Sequence, residues 1–359
     1  MIDVLRKSLD QSDLPFRDFV ELALYHPEFG YYAGRRSPAG RAGDFITSPL
    51  LSPLFATTLG NLIDEFLRRT GDAVSQVVDV GCGDGALIRA LAQTKSGIAF
   101  FGVDRNLLRT VPHPRVEYFE SLDQIPAAEA RLIISNELFD AFPFARLVQR
   151  GDELHELWVT LREGALDWSE HEAGGAYVDY FAGRGIRLED GQFADVSLEW
   201  ADFYADLCRF VARGLIVTFD YGLPESKLFR GRMRRFGTAA AYSEHRVSRD
   251  LLINPGQQDL TAHINFDDLR RTGEGRGFET RLFDMQAKFL LALGAAEHPL
   301  LTSIADVSIA SADDGVALLQ AREDARRLIL PDGIGADIRV LAQDRGMGAE
   351  PWRFQTKLF

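Results

Sequence analysis

Val77-Val78-Asp79-Val80-Gly81-Cys82-Gly83-Asp84-Gly85-Ala86 runs from a β-branched apolar stretch into three alternate glycines. The valines predict a short strand buried on both faces. Ala86 to Gln93 continues with apolar residues at helical spacing. Glycines between a strand and a helix let the chain turn tightly and let a ligand approach the backbone. The helix start adds free N–H groups and positive potential. Asp79, Gly81, Gly83 and Gly85 are therefore candidate ligand-binding residues. Asp104 ends the next apolar run, Ile98 to Val103, where a carboxylate can accept hydrogen bonds from two ribose hydroxyls. Together these features point to a nucleoside-bearing cofactor.

Further strands are predicted over Val116–Phe119, Leu132–Ile134 and Leu215–Phe219, alternating with helices, as in a parallel, doubly wound α/β sheet. Before them, helices are expected from Pro15 to His26, ended by Pro27, and from Pro53 to Arg69, stopping near Gly71. A loop rich in glycine and proline, Gly30 to Pro53, lies between. After them the pattern changes. Leu147-Val148, Leu154–Thr160 and Ala165–Trp168, joined at Gly151-Asp152 and Glu163-Gly164, predict an antiparallel β-meander inserted over 146–190. A second insertion, 223–265, is expected to cover the C-terminal edge of the sheet. Ser311 reads as the cap of a helix from Asp313 to Leu328, and Ile338–Ala342 as a last strand. The expected division is an N-terminal helical and loop segment, 1–71, and a Rossmann-like domain, 72–359, carrying both insertions.

The chain has 359 residues and a net charge of -13, which disfavours a broad electrostatic hold on nucleic acid. Arg230, Arg232, Arg234 and Arg235 form a local basic run, read as a solvated loop or as one facing a substrate or an anionic partner. Two cysteines, Cys82 and Cys208, exclude a disulfide framework and fit a cytoplasmic setting. The seven histidines and two cysteines show no metal-ligand spacing, so no metal is expected. No apolar run reaches the ~18 residues of a membrane span. The first residues read as a short amphipathic helix.

The glycine spacing is Gly-x-Gly-x-Gly, and Ala86 stands where a dinucleotide fingerprint would place its last glycine. NAD therefore remains open on spacing alone. The tighter turn resembles the first motif of class I S-adenosylmethionine-dependent methyltransferases. Other segments carry a more specific likeness: Tyr25-His26-Pro27-Glu28-Phe29-Gly30-Tyr31-Tyr32, Gly43-Asp44-Phe45-Ile46-Thr47-Ser48-Pro49, Ser135-Asn136-Glu137-Leu138-Phe139-Asp140, Asp220-Tyr221-Gly222, Gly237-Thr238, and Pro255 to His263. Their order resembles the MidA family, which includes a mitochondrial complex I assembly-factor protein arginine methyltransferase, over about Phe16 to Ala342.

The resemblance implies a Rossmann-like methyltransferase fold, S-adenosyl-L-methionine as cofactor and a protein substrate, with arginine as the residue modified. A guanidinium stays protonated, and a carboxylate can hold it and localise its charge. Glu137 and Asp140, just beyond the fourth strand, are the candidates. Asn136 is a candidate for orienting the substrate or the methionine amine. Asp259 and His263 are candidates for orienter and general base. Gly43, Asp44 and Thr47 are expected to close over the cofactor, and Tyr25, Tyr31 and Tyr32 to pack. The competing readings are a cofactor-binding assembly factor with little turnover and an NAD-dependent oxidoreductase.

Overall fold

A computed structural model of the chain describes residues 1–9, 12–33, 40, 43–44, 47–230, 235–302 and 312–355. Its centre is a mixed sheet whose strands, in chain order, are β1 (Ser75–Val80), β2 (Ala99–Val103), β3 (Val116–Phe119), β4 (Ala130–Asn136), β5 (Gly214–Leu223), β6 (Glu279–Met285) and β7 (Ile338–Arg345). Their order across the sheet is β3-β2-β1-β4-β5-β7-β6. β1 to β5 are parallel to one another, and β7 is antiparallel to both β5 and β6. The strands expected to run parallel, β1 to β5, do so, and β7 adds an antiparallel strand beside them. Leu282 to Met285 pairs with Ala342 to Arg339 beyond a register shift. The β6 segment, ETRLFDM, is only half-buried, so its pattern carries little strand signal.

The chain leaves β1 toward β2 and β3, then returns to place β4 on the other side of β1. Such a reversal opens a crevice at the carboxyl ends of the strands, where open α/β sheets bind ligands. Helices Pro53–Thr70, Ala86–Thr94 and Gln286–Ala292 cover one face of the sheet, whereas Glu199–Phe210 and Phe266–Gly275 cover the other. Pro53–Thr70 has Ser52 as N-cap, whose hydroxyl accepts the Leu54 N–H, and ends at Gly71 with φ 61°. The helix expected after Ser311 spans Ala312–Arg327, and Ser311 itself lies outside the described residues.

The meander is a separate antiparallel sheet. Ala145–Arg150, Glu153–Arg162 and Ala165–Glu172 pair in sequence, and Phe193–Val196 closes on the first of them. The Glu163-Gly164 turn has φ of 53° and 80°, the positive pair that a tight hairpin demands. The excursion is not wholly β, because Gly175–Ala182 is helical. In the second insertion, Ala240–Ser243 pairs with Arg246–Ser248 and with Asp259–Thr261. Of the basic run, Arg230 and Arg235 are described; Arg232 and Arg234 lie outside the described residues.

The N-terminal residues belong to this second core. Leu14 and Pro15 pair with Val159 and Trp158. Helix Phe16–Tyr25 buries Phe16 against Phe144, with ring centroids 5.6 Å apart, and against Trp168 at 4.8 Å. Ala239, Ala241 and Leu260 of the second insertion complete the cluster. Phe16→Ala would empty the middle of this core. Its expected cost is ~3–5 kcal/mol of stability, as for large-to-small changes at buried aromatics. Chemical denaturation measures it, and a loss under 1 kcal/mol would mean that the helix is not held by this contact.

Candidate functional site

The carboxyl ends of β1 to β4 open into a cavity of about 990 Å³, at the upper end of the ~300–1,000 Å³ typical of small-ligand sites. The glycine turn forms its floor. Gly81 and Gly83 have φ of 75° and 57°, values that favour glycine. Gly81 N–H donates to Val103 O at 2.8 Å, tying the turn to β2. A Cβ on Gly81 would strike the Leu138 side chain at 2.7 Å, whereas a Cβ on Gly83 would meet nothing within 4 Å. Gly83 therefore presents open backbone to the cavity. Gly85 lies outside the lining. It starts helix Ala86–Thr94 with φ 80°, and an added Cβ would collide with Tyr118.

Asp104 follows β2 and lines the same wall. One of its oxygens accepts the Gly83 N–H at 2.9 Å and the other accepts the Asn106 N–H at 2.9 Å. Asp79, at the end of β1, is buried. Burial and the charges of Asp104 and Asp84 push its carboxyl up to about 7. Ser121, Leu122 and Asp123, just after β3, line the cavity and were not singled out from the sequence. Their position at the end of the next parallel strand was the signal available. Phe203, Arg209 and Phe210 of helix Glu199–Phe210 complete the far wall. Nothing local in the sequence marks which face of that helix meets the cavity.

At the end of β4, Asn136 and Glu137 line the cavity beside the glycine turn. Asn136 Nδ2 donates to Glu137 Oε1 at 3.1 Å, and the Ser48 N–H donates to the same oxygen at 3.4 Å. Asn136 Oδ1 is buried with no partner among the described residues. Glu137 has φ 52°, an uncommon backbone conformation for a residue with a side chain. Burial, then the charge of Asp140, raises its carboxyl to about 8.

Behind Glu137 the acids multiply. Asp220, buried at the end of β5, accepts the N–H groups of Leu138 at 3.2 Å and Phe139 at 2.8 Å, and that of Tyr221 at 2.9 Å. Its carboxyl is pushed up to about 7, chiefly by burial. Asp140 is held well above the usual carboxylate range by burial and by the charges of Asp220 and Asp259, and its carboxyl hydrogen-bonds Asp220. Asp259 accepts Tyr32 Oη–H at 2.9 Å, and burial pushes it up to about 7.

Asp140, Asp259 and His263 lie behind the cavity lining and not in it. His263 stacks on Tyr221, with centroids 6.5 Å apart, and its backbone N–H donates to Thr238 Oγ1. Thr47 lines the cavity, but Gly43 and Asp44 do not. Asp44 accepts Tyr31 Oη–H and the Glu244 N–H, both at 2.7 Å, so it ties the early loop to the second insertion. Tyr25 and Tyr32 stack and line the cavity, and Tyr25 Oη–H donates to Ala141 O.

Known proteins match this arrangement. A family model of S-adenosyl-L-methionine-dependent methyltransferases, Methyltransf_28, matches residues 102–283. The protein arginine methyltransferase NDUFAF7 homolog, mitochondrial, of Drosophila melanogaster is 25% identical over 318 residues, 76% of this chain and 69% of that protein. The corresponding protein arginine methyltransferase of Homo sapiens is 23% identical over 316 residues, 72% of this chain and 65% of that one. A Burkholderia thailandensis protein solved with S-adenosyl-homocysteine bound aligns with a TM-score of 0.84 and 26% identity, covering 98% of this chain and 93% of that one. These matches set aside the NAD reading. Among the described residues no helix is long and apolar enough to cross a membrane.

Asp79, Asp220 and Asp259, each at about 7, have a common consequence. Unfolded carboxyls titrate near 4. Between about 4 and 7 the folded chain therefore holds protons that the unfolded chain has released, and stability falls as pH rises. The urea midpoint is expected to be higher at pH 5 than at pH 8. A midpoint that is flat or rising over that interval would show these acids to be ionised in the fold.

Proposed function

Since the chain belongs to this family of S-adenosyl-L-methionine-dependent methyltransferases, we propose that it methylates a protein, on an arginine side chain held by Glu137. The observation that carries this reading is Glu137 itself, a carboxyl on a left-handed backbone at the end of β4, facing the same cavity as the glycine turn. The names of the relatives support arginine as the substrate residue.

The residues present fit the cofactor. Gly83 offers open backbone for its methionine portion, Asp104 offers acceptors for ribose hydroxyls, and Asn136 Oδ1 is a buried acceptor lacking a donor among the described residues. S-adenosylmethionine, when bound, supplies a methyl group made electrophilic by its sulfonium. The chain supplies position and electrostatics. Ionised Glu137 holds the guanidinium and draws its charge toward one nitrogen, leaving another the better nucleophile. A guanidinium that gains a methyl loses one proton, and Glu137 is the base beside it. Asp140 and Asp220, sharing a hydrogen bond behind it, keep the turn in place and add negative potential when they ionise.

Two tests follow from these roles. Gly83→Val fills the open space above the turn and forces a branched residue to φ 57°. Calorimetry is expected to show S-adenosylhomocysteine binding to the parent chain and none to the variant, with NAD bound by neither. Retained binding in the variant would move the cofactor off the turn. Glu137→Gln keeps size and removes charge. Labelled-methyl transfer into cell-extract protein, with peptide mapping, is expected to fall on the order of 10²-fold or more while S-adenosylhomocysteine affinity holds. Because protonated Glu137 cannot clamp a cation, transfer by the parent chain should rise with pH toward a plateau above about 8, and the variant should lack that rise. Label on a residue other than arginine, or unchanged turnover in the variant, would end this reading.

A further inference from the structure

Four arginines line the cavity: Arg17, Arg105, Arg109 and Arg209. Three are committed to close carboxylate partners. Arg17 pairs with Glu199, Arg105 with Glu21 at 3.0 Å, and Arg209 with Asp206. Arg109 differs from them. Its side chain is only 7% exposed, and its contact with an acid is a long one, Nη2 to Asp104 Oδ1 at 3.9 Å. Its Nε is buried with no hydrogen-bond partner among the described residues. A buried charged donor left unmade is costly, and such a group calls for an acceptor.

Arg109 lies beside the glycine turn. The segment after β2 folds back over the glycine turn, with Asp104 accepting the Gly83 N–H and the Val111 N–H donating to Asp84 O at 3.1 Å. Arg109 lies between these two anchors, with its guanidinium 5.5 Å from the centre of the Tyr32 ring. Asp79, Asp84, Asp104 and Glu137 line the same cavity. An anion entering so acidic a site needs a cation not already spent. The cofactor carries one anionic group, the carboxylate of its methionine portion.

We propose that Arg109 is the carboxylate-binding residue of the cofactor site, pairing its guanidinium with the cofactor's α-carboxylate over the glycine turn. A guanidinium fork suits a carboxylate, and the pair is charge-assisted. Arg109 is then a selector as well as an anchor, because a nucleoside lacking that carboxylate leaves it unpaired. The opposing reading is that Arg109 only offsets the charge of Asp104.

Calorimetry with two ligands separates these readings. One ligand is S-adenosylhomocysteine; the other is its decarboxylated analogue, which keeps the amine and the adenosine. The parent chain is expected to prefer S-adenosylhomocysteine by at least about tenfold. Arg109→Gln should abolish that preference while binding the analogue within about twofold of the parent chain. Arg109→Lys, which keeps charge but loses the fork, should fall between. Equal affinity of the parent chain for both ligands would overturn the proposal, whether or not the variants fold. So would equal weakening of both ligands by Arg109→Gln, or a preference that survives it. Failure of the parent chain to bind S-adenosylhomocysteine at all would refute the cofactor site itself, a result distinct from the loss of selectivity.

Discussion

Asp220 sits with its carboxyl buried at the end of β5 and takes the N–H groups of Leu138, Phe139 and Tyr221. Two of these belong to the turn leaving β4, and Glu137 donates its own N–H to Phe219 O at 2.8 Å. The turn is therefore pinned to the neighbouring strand on both sides of Glu137. This over-determination holds a non-glycine residue at φ 52°, a conformation that costs on the order of 1–3 kcal/mol. It also aims Glu137 into the cavity, between Asn136 and the start of helix Ser48–Leu51. The sheet makes the arrangement possible, because parallel β4 ends at Asn136 beside Phe219 of β5, one residue before Asp220.

The site gathers acids where burial would otherwise expel charge. Burying an ionised carboxylate is costly unless it is paired. Here the cost is met by protonation and by donors: Asp140 shares a hydrogen bond with Asp220, and Asp259 takes Tyr32 Oη–H. Asp140 and Asp220, joined by their hydrogen bond, influence each other's protonation. The outermost member of the cluster, Glu137, is the one that reaches the cavity. A cation entering the cavity meets a carboxyl able to ionise on its arrival.

Three parts of the chain enclose this edge. The sheet supplies the floor, and helix Glu199–Phe210 the far wall. Arg17, Glu21, Tyr25, Tyr32 and Thr47 from the early part of the chain supply a roof tied down by Tyr25, Tyr31 and Tyr32. The roof shares its hydrophobic core with the meander and the second insertion. The insertions thus act on the cavity through packing, by holding the roof in place. Asp44 shows the principle. It lies outside the cavity, yet it joins the Tyr31 hydroxyl to the turn at Glu244, 200 residues away in the chain.

The features legible in the sequence are local ones. Alternate glycines between a valine run and a helix specify a strand, a tight turn and an exposed helix start, since only a few residues around each position decide the backbone there. Asp104 and Glu137 follow from the same logic, Asp104 directly after an apolar run and Glu137 three residues beyond one. The antiparallel meander was legible from its two hairpin turns. What lay outside local pattern came from elsewhere. The reversal of β7, and the pairing of β6 beyond it, depend on contacts between segments far apart in the chain. The roles of Arg17, Phe203 and Arg109 depend on which side of a helix or loop meets a cavity built by other strands. Asp259 and His263 pair with Tyr32 and stack on Tyr221 behind the cavity, a placement fixed by the second insertion's packing. The sequence by itself determined the strand ends and the turn, because backbone preference and hydrophobic period act over a few residues. Only the tertiary structure decided which buried charges meet, because burial and neighbouring charge depend on distance in space and not along the chain.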